Sequence, residues 1–132
     1  VKNIKGSCLC GAVEFCIKDN FQYAGYCHCS QCTKFSGPIA VGGLLCSDFR
    51  LTKGADDIIK FKRSESTTAC FCGVCGTNMY GEKQGTEFIH IKYGGLNETP
   101  QLLPQAHMFV GSKVDWYEIN DSLPQFEGFP TD

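Results

Sequence analysis

Ten cysteines in a chain of 132 residues constrain the fold more than any other feature of this sequence. Several are closely spaced, since one residue separates Cys8 from Cys10 and the triplet Cys27, Cys29 and Cys32 lies within six positions. Cysteines this close rarely form a disulfide with each other, because the small ring strains the backbone, whereas they can present several sulfurs to one metal ion. The spacing therefore favours thiolate metal sites, which are typical of a reducing compartment, and we expect a cytoplasmic protein.

A zinc-knuckle motif occurs later in the chain, at Cys72-Gly73-Val74-Cys75-Gly76. Its turn directs two thiolates toward one ion, and its glycines permit the tight backbone that this requires. A tetrahedral zinc needs two further ligands, which either Cys8 with Cys10 or part of the triplet could supply. The spacing alone leaves both groupings open.

The grouping decides what the remaining cysteines can do. If the knuckle joins the first pair around a structural ion, the triplet keeps three ligands and an open position, which is the stoichiometry of a catalytic zinc. Alternatively, Cys70 or Cys16 supplies a fourth thiolate and closes the triplet as a purely structural site. Cys70 is the better candidate, because two residues before Cys72 on a strand it would point to the same side. We otherwise expect Cys16 and Cys46 to be ordinary buried thiols.

Composition and charge limit the other classes of function. A hydrophobic fraction of 42% and a length of 132 residues are typical of one folded domain, which we expect to span residues 1–132. The net charge is −2 and the lysines are scattered, so we expect no nucleic-acid partner. Apolar stretches are interrupted by glycine and fall short of the roughly 20 residues of a membrane span. The first residues lack the apolar segment of a secretory signal, so we expect neither a membrane nor a secretion role.

Alternation of apolar and polar residues with a period of two, the pattern of half-buried strands, dominates the sequence. It is clearest over residues 13–18 and 88–93, and glycine, aspartate and asparagine turn signals separate the strand-like segments. No window of about 12 residues shows a helical apolar stripe. We therefore expect an all-β fold with at most one short helical turn. Further strands are expected at Ile39–Leu45, Phe49–Thr52, Ile58–Lys62, Thr67–Phe71 and Trp116–Ile119.

Histidines and aromatic residues outside the cysteine groups have structural interpretations. His28 lies between two cysteines and would face away from a metal on an extended backbone, as a surface or packing residue. His90 has no partner at ligand spacing, so a third metal site there is not expected. We expect Trp116 in the core. Residues 123–130 are expected to run extended over the body with two Phe side chains packed against it.

A series of motifs in a defined order spans nearly the whole chain. They are Gly6-Ser7-Cys8-Leu9-Cys10-Gly11-Ala12-Val13-Glu14-Phe15, Cys27-His28-Cys29-Ser30-Gln31-Cys32-Thr33-Lys34 with Gly37, Phe71-Cys72-Gly73-Val74-Cys75-Gly76-Thr77, His107-Met108-Phe109-Val110-Gly111-Ser112-Lys113 with Trp116, and Leu123-Pro124-Gln125-Phe126. With these motifs the sequence resembles the glutathione-dependent formaldehyde-activating enzyme family, which also includes relatives of centromere protein V.

The resemblance implies a β-tent fold of small coiled antiparallel sheets, stabilised by two zinc ions per chain. It also implies the condensation of formaldehyde with the thiol of glutathione to S-(hydroxymethyl)glutathione, which is a carbon–sulfur lyase reaction in reverse. It divides seven cysteines between the two ions. Cys8, Cys10, Cys72 and Cys75 would hold a structural zinc, and Cys27, Cys29 and Cys32 would hold the reactive one.

Three further residues are candidates for binding the glutathione molecule. Lys34 follows the triplet, and its ammonium could hold a carboxylate. The resemblance makes His107 and Lys113 candidates for the wall of the cleft. Two alternatives remain, namely a zinc enzyme that acts on another thiol or aldehyde and a non-catalytic zinc-stabilised binding module of the centromere protein V type. The sequence does not indicate an oligomeric state.

Overall fold

The computed structural model describes residues 1–130, and its regular secondary structure consists mostly of strands. One five-residue α-helix follows the third strand, and short 3-10 turns link several of the later ones. The elements in chain order are β1 (Asn3–Ser7), β2 (Glu14–Lys18), β3 (Tyr23–Cys27), α1 (Ser30–Lys34), β4 (Ile39–Leu45), β5 (Phe49–Lys53), β6 (Ile58–Lys62), β7 (Thr67–Cys72), β8 (Asn78–Lys83), β9 (Phe88–Lys92) and β10 (His107–Met108).

The strands form two sheets. The small sheet has three strands in the order β1-β2-β5, and the large sheet has seven in the order β10-β3-β4-β9-β8-β7-β6. All pairs are antiparallel except β10 with β3, which is parallel. This arrangement confirms the expected all-β fold of antiparallel sheets. None of the helices within residues 1–130 has the length and apolar character needed to cross a bilayer.

The main core lies between the small sheet and one face of the large sheet. Alternation explains which residues reach it, because on each strand every second side chain turns to the same face. Fully burying an apolar side chain of this size stabilises the fold by about 1.5–3 kcal/mol. The small sheet contributes Ile4, Phe15 and Ile17, and the large sheet contributes Leu44, Ile89 and Ile91, together with Met79 and Tyr80.

The C-terminal tail crosses the body in extended form, as the sequence predicted. The backbone N–H of His107 donates to the carbonyl of Pro124 at 2.8 Å, and that of Phe126 donates to the carbonyl of His107 at 2.9 Å. The ring of Phe129 meets Phe109 edge to face at 4.8 Å between centroids. The tail is therefore attached to the edge of the large sheet beside β10.

Two expectations about single residues are wrong. Trp116 is 85% exposed and belongs to no strand, because residues 113–117 form a turn in which the Lys113 ammonium binds the carbonyls of Val114 and Tyr117. Cys46 is exposed at the start of a 3-10 turn after β4, so it is not a buried thiol. Apolar side chains predict burial only where a neighbouring strand covers them.

Candidate metal centres

Four cysteines meet where the β1–β2 connection lies against the turn between β7 and β8. Their sulfurs all lie within 4.8 Å of one another, with 3.6 Å between Cys8 and Cys10 and 3.8 Å between Cys10 and Cys72. Four sulfurs about 2.3 Å from a tetrahedral zinc would be separated by about 3.8 Å. The fourth member is Cys75. The donor set and its spacing therefore fit a closed structural zinc site.

Backbone amides hold these sulfurs in place. The N–H groups of Val74 and Cys75 point at the Cys72 sulfur at 3.3 and 3.5 Å, and the N–H of Val13 points at the Cys8 sulfur at 3.3 Å. Gly76 closes the knuckle with a φ of +82°, a conformation that residues with a Cβ rarely adopt. This is the tight turn that the knuckle motif predicted.

The remaining triplet forms a second cluster at the end of β3. Cys27 ends that strand, Cys29 caps α1 and Cys32 lies within the helix, where its N–H donates to the Cys29 sulfur at 3.2 Å. The three sulfurs lie within 4.8 Å of one another. Within residues 1–130, no fourth cysteine, histidine or carboxylate belongs to this group. The donor set fits a zinc ion with a position left for another ligand.

Cys70 and Cys16 lie outside both clusters. Cys70 is buried in the main core, where its thiol faces the carbonyl of Thr68 at 3.9 Å, and Cys16 is half-buried on β2. Cys70 points to the same side of β7 as Cys72, as expected, and both reach the main core. The triplet lies outside that core, on the other face of the large sheet. In this structure neither thiol closes the triplet.

The triplet shares the outer face of the large sheet with several polar side chains. Tyr23, Gly43, His90 and Gly81 are aligned across four strands, so their side-chain directions coincide. The same alternation places further members on that face. These are Cys27, Lys92 and Lys83. The three-cysteine cluster therefore faces a polar surface on the side of the sheet opposite the main core.

Tyr23 and His90 form a hydrogen-bonded pair on this face. The Tyr23 hydroxyl lies 2.6 Å from His90 Nε2. The ring of Tyr23 crosses the strand at Gly43, where a Cβ would overlap it, so glycine is required there. Burial, together with the positive charges of Lys83 and Lys92, lowers the pKa of His90 to about 4. His90 is therefore neutral at physiological pH.

Three cationic side chains surround the triplet. Arg63 donates to Gln31 on α1 at 2.9 Å, and the pKa of Cys29 is lowered chiefly by the neighbouring thiols and further by Arg63. Burial lowers the pKa of Lys92, and the negative charge of Cys32 opposes that shift. The ion pairs within residues 1–130 involve other side chains, so none of these three cations is paired with a carboxylate there. The third cation is Lys83, which donates to Thr67 at 3.1 Å.

Two cavities open beside these cations. The His90 cavity, of about 610 Å³, is lined by Tyr23, Lys83, His90 and the tail residues Phe126 and Phe129. The Lys92 cavity, of about 660 Å³, is lined by Lys92, Phe35, Cys8 and Asn78 among others. The Asn78 side-chain oxygen is buried and has no hydrogen-bond partner within residues 1–130. Each cavity therefore contains one lysine of the cationic group.

Comparison with known proteins agrees with this geometry. Residues 3–112 match the family model described as glutathione-dependent formaldehyde-activating enzyme. The chain belongs to this family. A curated protein of Halomonas elongata, provisionally named a glutathione-dependent formaldehyde-activating enzyme, is 25% identical over 96% of this chain and 88% of its own length. A crystal structure of a Rhodobacter sphaeroides protein superposes with a TM-score of 0.63 at 25% identity, covering 74% of this chain and 91% of the other.

Within this member of the glutathione-dependent formaldehyde-activating enzyme family, the predicted ligand-binding residues occupy different places. Lys34 is exposed at the end of α1. Lys113 is bound to carbonyls of its own turn, and His107 is buried on the opposite side of β3 from Cys27. His28 is buried beside His107, in agreement with the predicted packing role.

The sequence analysis did not identify Arg63, Lys83 and Lys92 as neighbours of the triplet. A signal was present for one of them, because residues 88–92 alternate and Lys92 shares its face with His90, opposite two buried isoleucines. An antiparallel sheet commonly presents one polar face to solvent, so this pattern by itself does not distinguish a ligand site from a solvated face. Arg63 lies in the connection between β6 and β7 and Lys83 ends β8, and only the pairing of these strands in space brings them to the triplet.

Proposed function

We propose that this chain condenses formaldehyde with the thiol of glutathione, at a zinc ion held by Cys27, Cys29 and Cys32, and that a second zinc on Cys8, Cys10, Cys72 and Cys75 stabilises the fold. The observation that carries the proposal is the group of cations without carboxylate partners around the triplet, two of which line cavities. Family membership and the two cysteine clusters support it.

Charge explains why an anionic thiol suits this site. Three thiolates with one Zn²⁺ carry a net charge of about −1. Arg63, Lys83 and Lys92 outweigh that charge, and their environment lacks the carboxylates that usually accompany buried cations. Glutathione carries a carboxylate at each end and a thiol in the middle. The site would therefore attract it more strongly than a neutral thiol.

The dimensions of glutathione match the two cavities. An extended tripeptide spans about 10 Å, so its ends can reach to either side of a central thiol. Lys83 lines one cavity and Lys92 the other, and each would hold one carboxylate. The unpartnered oxygen of Asn78 would accept a hydrogen bond from an N–H of the ligand. This placement leaves the thiol at the triplet.

The reaction forms one carbon–sulfur bond. The sulfur attacks the carbon of formaldehyde, the carbonyl electron pair moves to oxygen, and that oxygen takes up the proton which the thiol has lost. Zinc, when bound, lowers the pKa of a thiol and so supplies a thiolate at neutral pH. Tyr23 and His90 lie on the same face but four residues along the strand from Cys27, and they would line the cavity that receives one end of the ligand. The aromatic tail residues would cover part of that cavity.

Exchange NMR tests this proposal directly. Formaldehyde and glutathione form the adduct spontaneously, and the exchange rate is measured with and without the zinc-loaded protein. We expect acceleration by the wild type and a return to the spontaneous rate for Cys32→Ser, while the matched variant Cys46→Ser, outside both clusters, keeps the wild-type rate. A wild type that does not exceed the spontaneous rate would refute the activity and favour a non-catalytic binding module.

A second arm distinguishes glutathione from other thiols. 2-Mercaptoethanol lacks the carboxylates, and the diethyl ester of glutathione retains the peptide but masks both charges. We expect little acceleration with either compound. Equal acceleration with all three thiols would show that the cations do not select the substrate.

A further inference from the structure

A buried pair of histidines lies behind the triplet and has no part in the proposed reaction. His28 and His107 are each only 1% exposed, and His28 Nε2 lies 2.8 Å from His107 Nδ1. On its other side, His107 Nε2 lies 2.9 Å from a carboxylate oxygen of Asp121, which is exposed. The three side chains form a continuous hydrogen-bonded chain from the surface to the residue between Cys27 and Cys29.

Packing fixes both rings as well. Tyr26 stacks on His107 with 5.1 Å between centroids, and Tyr117 meets His28 edge-on at 5.4 Å. The backbone N–H of His28 donates to the Met108 carbonyl at 2.9 Å. His28 is therefore held by its main chain and by its ring.

The chemistry of these groups decides which atom donates at each hydrogen bond between Asp121, His107 and His28. A carboxylate only accepts hydrogen bonds, so His107 Nε2 donates its proton to Asp121. In a neutral ring the other nitrogen then accepts, and His28 Nε2 donates to His107 Nδ1. Asp121 thereby selects the tautomer of both rings. Removing the carboxylate takes away the acceptor that selects the tautomer of both buried rings.

The backbone transmits this constraint to the sulfurs. Side chains of successive extended residues point to opposite sides, so a backbone held in place at His28 also fixes the direction in which the Cys27 side chain leaves it. Cys29 and Cys32 follow in the same short segment, where the Cys29 sulfur accepts from the Cys32 amide. Groups that orient metal ligands typically contribute about 10–100-fold in metal affinity.

We propose that Asp121 and His107 are positioning residues, which act through His28 to hold the Cys27–Cys32 segment in its metal-binding conformation. The hydrogen-bonded chain of Asp121, His107 and His28 couples the triplet to the C-terminal segment. It has no counterpart at the four-cysteine cluster within residues 1–130. The inference rests on the proposal that the triplet binds metal, but it does not require glutathione as the substrate.

Cobalt substitution tests this inference without measuring activity. Apo-protein is titrated with Co²⁺, and visible absorption with competition by a chelator gives the number of bound ions and the affinity of each site. The variants are Asp121→Ala, Asp121→Asn, which keeps an acceptor oxygen, and Asp115→Ala, an exposed control in the same segment. The four-cysteine site reports in every sample whether the protein is folded.

We expect Asp121→Ala to weaken the triplet site about 10–100-fold and to change its absorption bands, while the four-cysteine site is unaffected. Asp121→Asn should recover most of the affinity, and Asp115→Ala should match the wild type. If both Asp121→Ala and Asp115→Ala bind two Co²⁺ ions, and the triplet site has the same affinity in both variants, the positioning role alone is overturned. A wild type that binds only one Co²⁺ would overturn the triplet as a metal centre, and with it both proposals.

Discussion

The two cysteine clusters offer the same ligand atoms in different surroundings. At the four-cysteine cluster, backbone amides of Val13, Val74 and Cys75 point at the sulfurs. At the triplet, cationic side chains and a buried histidine lie nearby, and two of the cations line cavities. Backbone donors stabilise thiolates, whereas side-chain cations can also bind an anionic ligand. The comparison teaches that the surroundings, and not the cysteines themselves, distinguish the two clusters.

The largest expected effect concerns the role of the four-cysteine cluster in folding. Cys72→Ser removes a buried ligand at the junction of the two sheets, and we expect the free energy of unfolding of the zinc-loaded protein to fall by more than about 3 kcal/mol. Cys32→Ser should cost much less, because the triplet lies outside the main core. Urea unfolding followed by circular dichroism measures both, with Cys46→Ser as the control. Equal losses in the two ligand variants would contradict the division of roles.

An intermediate effect concerns His90, which lies close to two of the cations near the triplet. It appears as a loss of stability when the pH is lowered. His90 has a pKa of about 4 in the folded protein against an ordinary value of 6.5. As pH falls below 6.5, the unfolded chain takes up a proton that folded His90 does not. The corresponding stability is present above pH 6.5 and is lost between pH 6.5 and 4, up to about 3 kcal/mol.

His90→Gln isolates this contribution. Acid also displaces metal from cysteines, but that loss is common to both proteins and cancels in their difference. We expect the free energy of unfolding of the wild type to fall by up to about 3 kcal/mol more than that of His90→Gln between pH 7 and pH 4. A difference between the two proteins that does not change with pH would show that burial and the neighbouring lysines do not lower the pKa of His90.

The smallest expected effect concerns substrate binding. Lys92→Met keeps the length of the side chain and removes its charge, and we expect the KM for glutathione to rise about 10-fold with little change in kcat. The KM for 2-mercaptoethanol should not change. Lys62→Met, on an exposed position of β6, is the matched control. If Lys34→Met raised KM and Lys92→Met did not, the sequence-based assignment of the carboxylate to Lys34 would replace ours.

The sequence was sufficient for much of the secondary structure. Local pattern correctly predicted β2, β4, β5, β6, β7 and β9. Most of these strands turn one face to the core, whereas β6 contributes only the partly buried Ile58. Local pattern did not identify β3, whose Tyr23-Ala-Gly-Tyr-Cys27 sequence offers glycine in place of a bulky apolar residue. It wrongly predicted a strand at 116–119, because the apolar residues there have no neighbouring strand to pair with.

The cationic group around the triplet could not have been predicted from local pattern. Arg63 lies in the connection between β6 and β7, whereas Lys83 and Lys92 end β8 and β9. Their separation from Cys32 along the chain is large, and each alone resembles a solvated surface residue. Pairing of strands that are distant in sequence brings them together.

Motif spacing within the sequence was sufficient to predict clusters of cysteines suited to metal instead of disulfides, because a knuckle imposes its geometry over a few residues. The division into a cluster of four and a cluster of three could not follow from spacing, since Cys8 is 64 positions from Cys72 and Cys27 lies between them. Packing of the small sheet on the large one decided it, by burying Cys8 beside Cys72 in the main core and leaving Cys27 on the outer face. Short-range backbone geometry is encoded locally, whereas the surroundings of a site depend on which distant strands share a face.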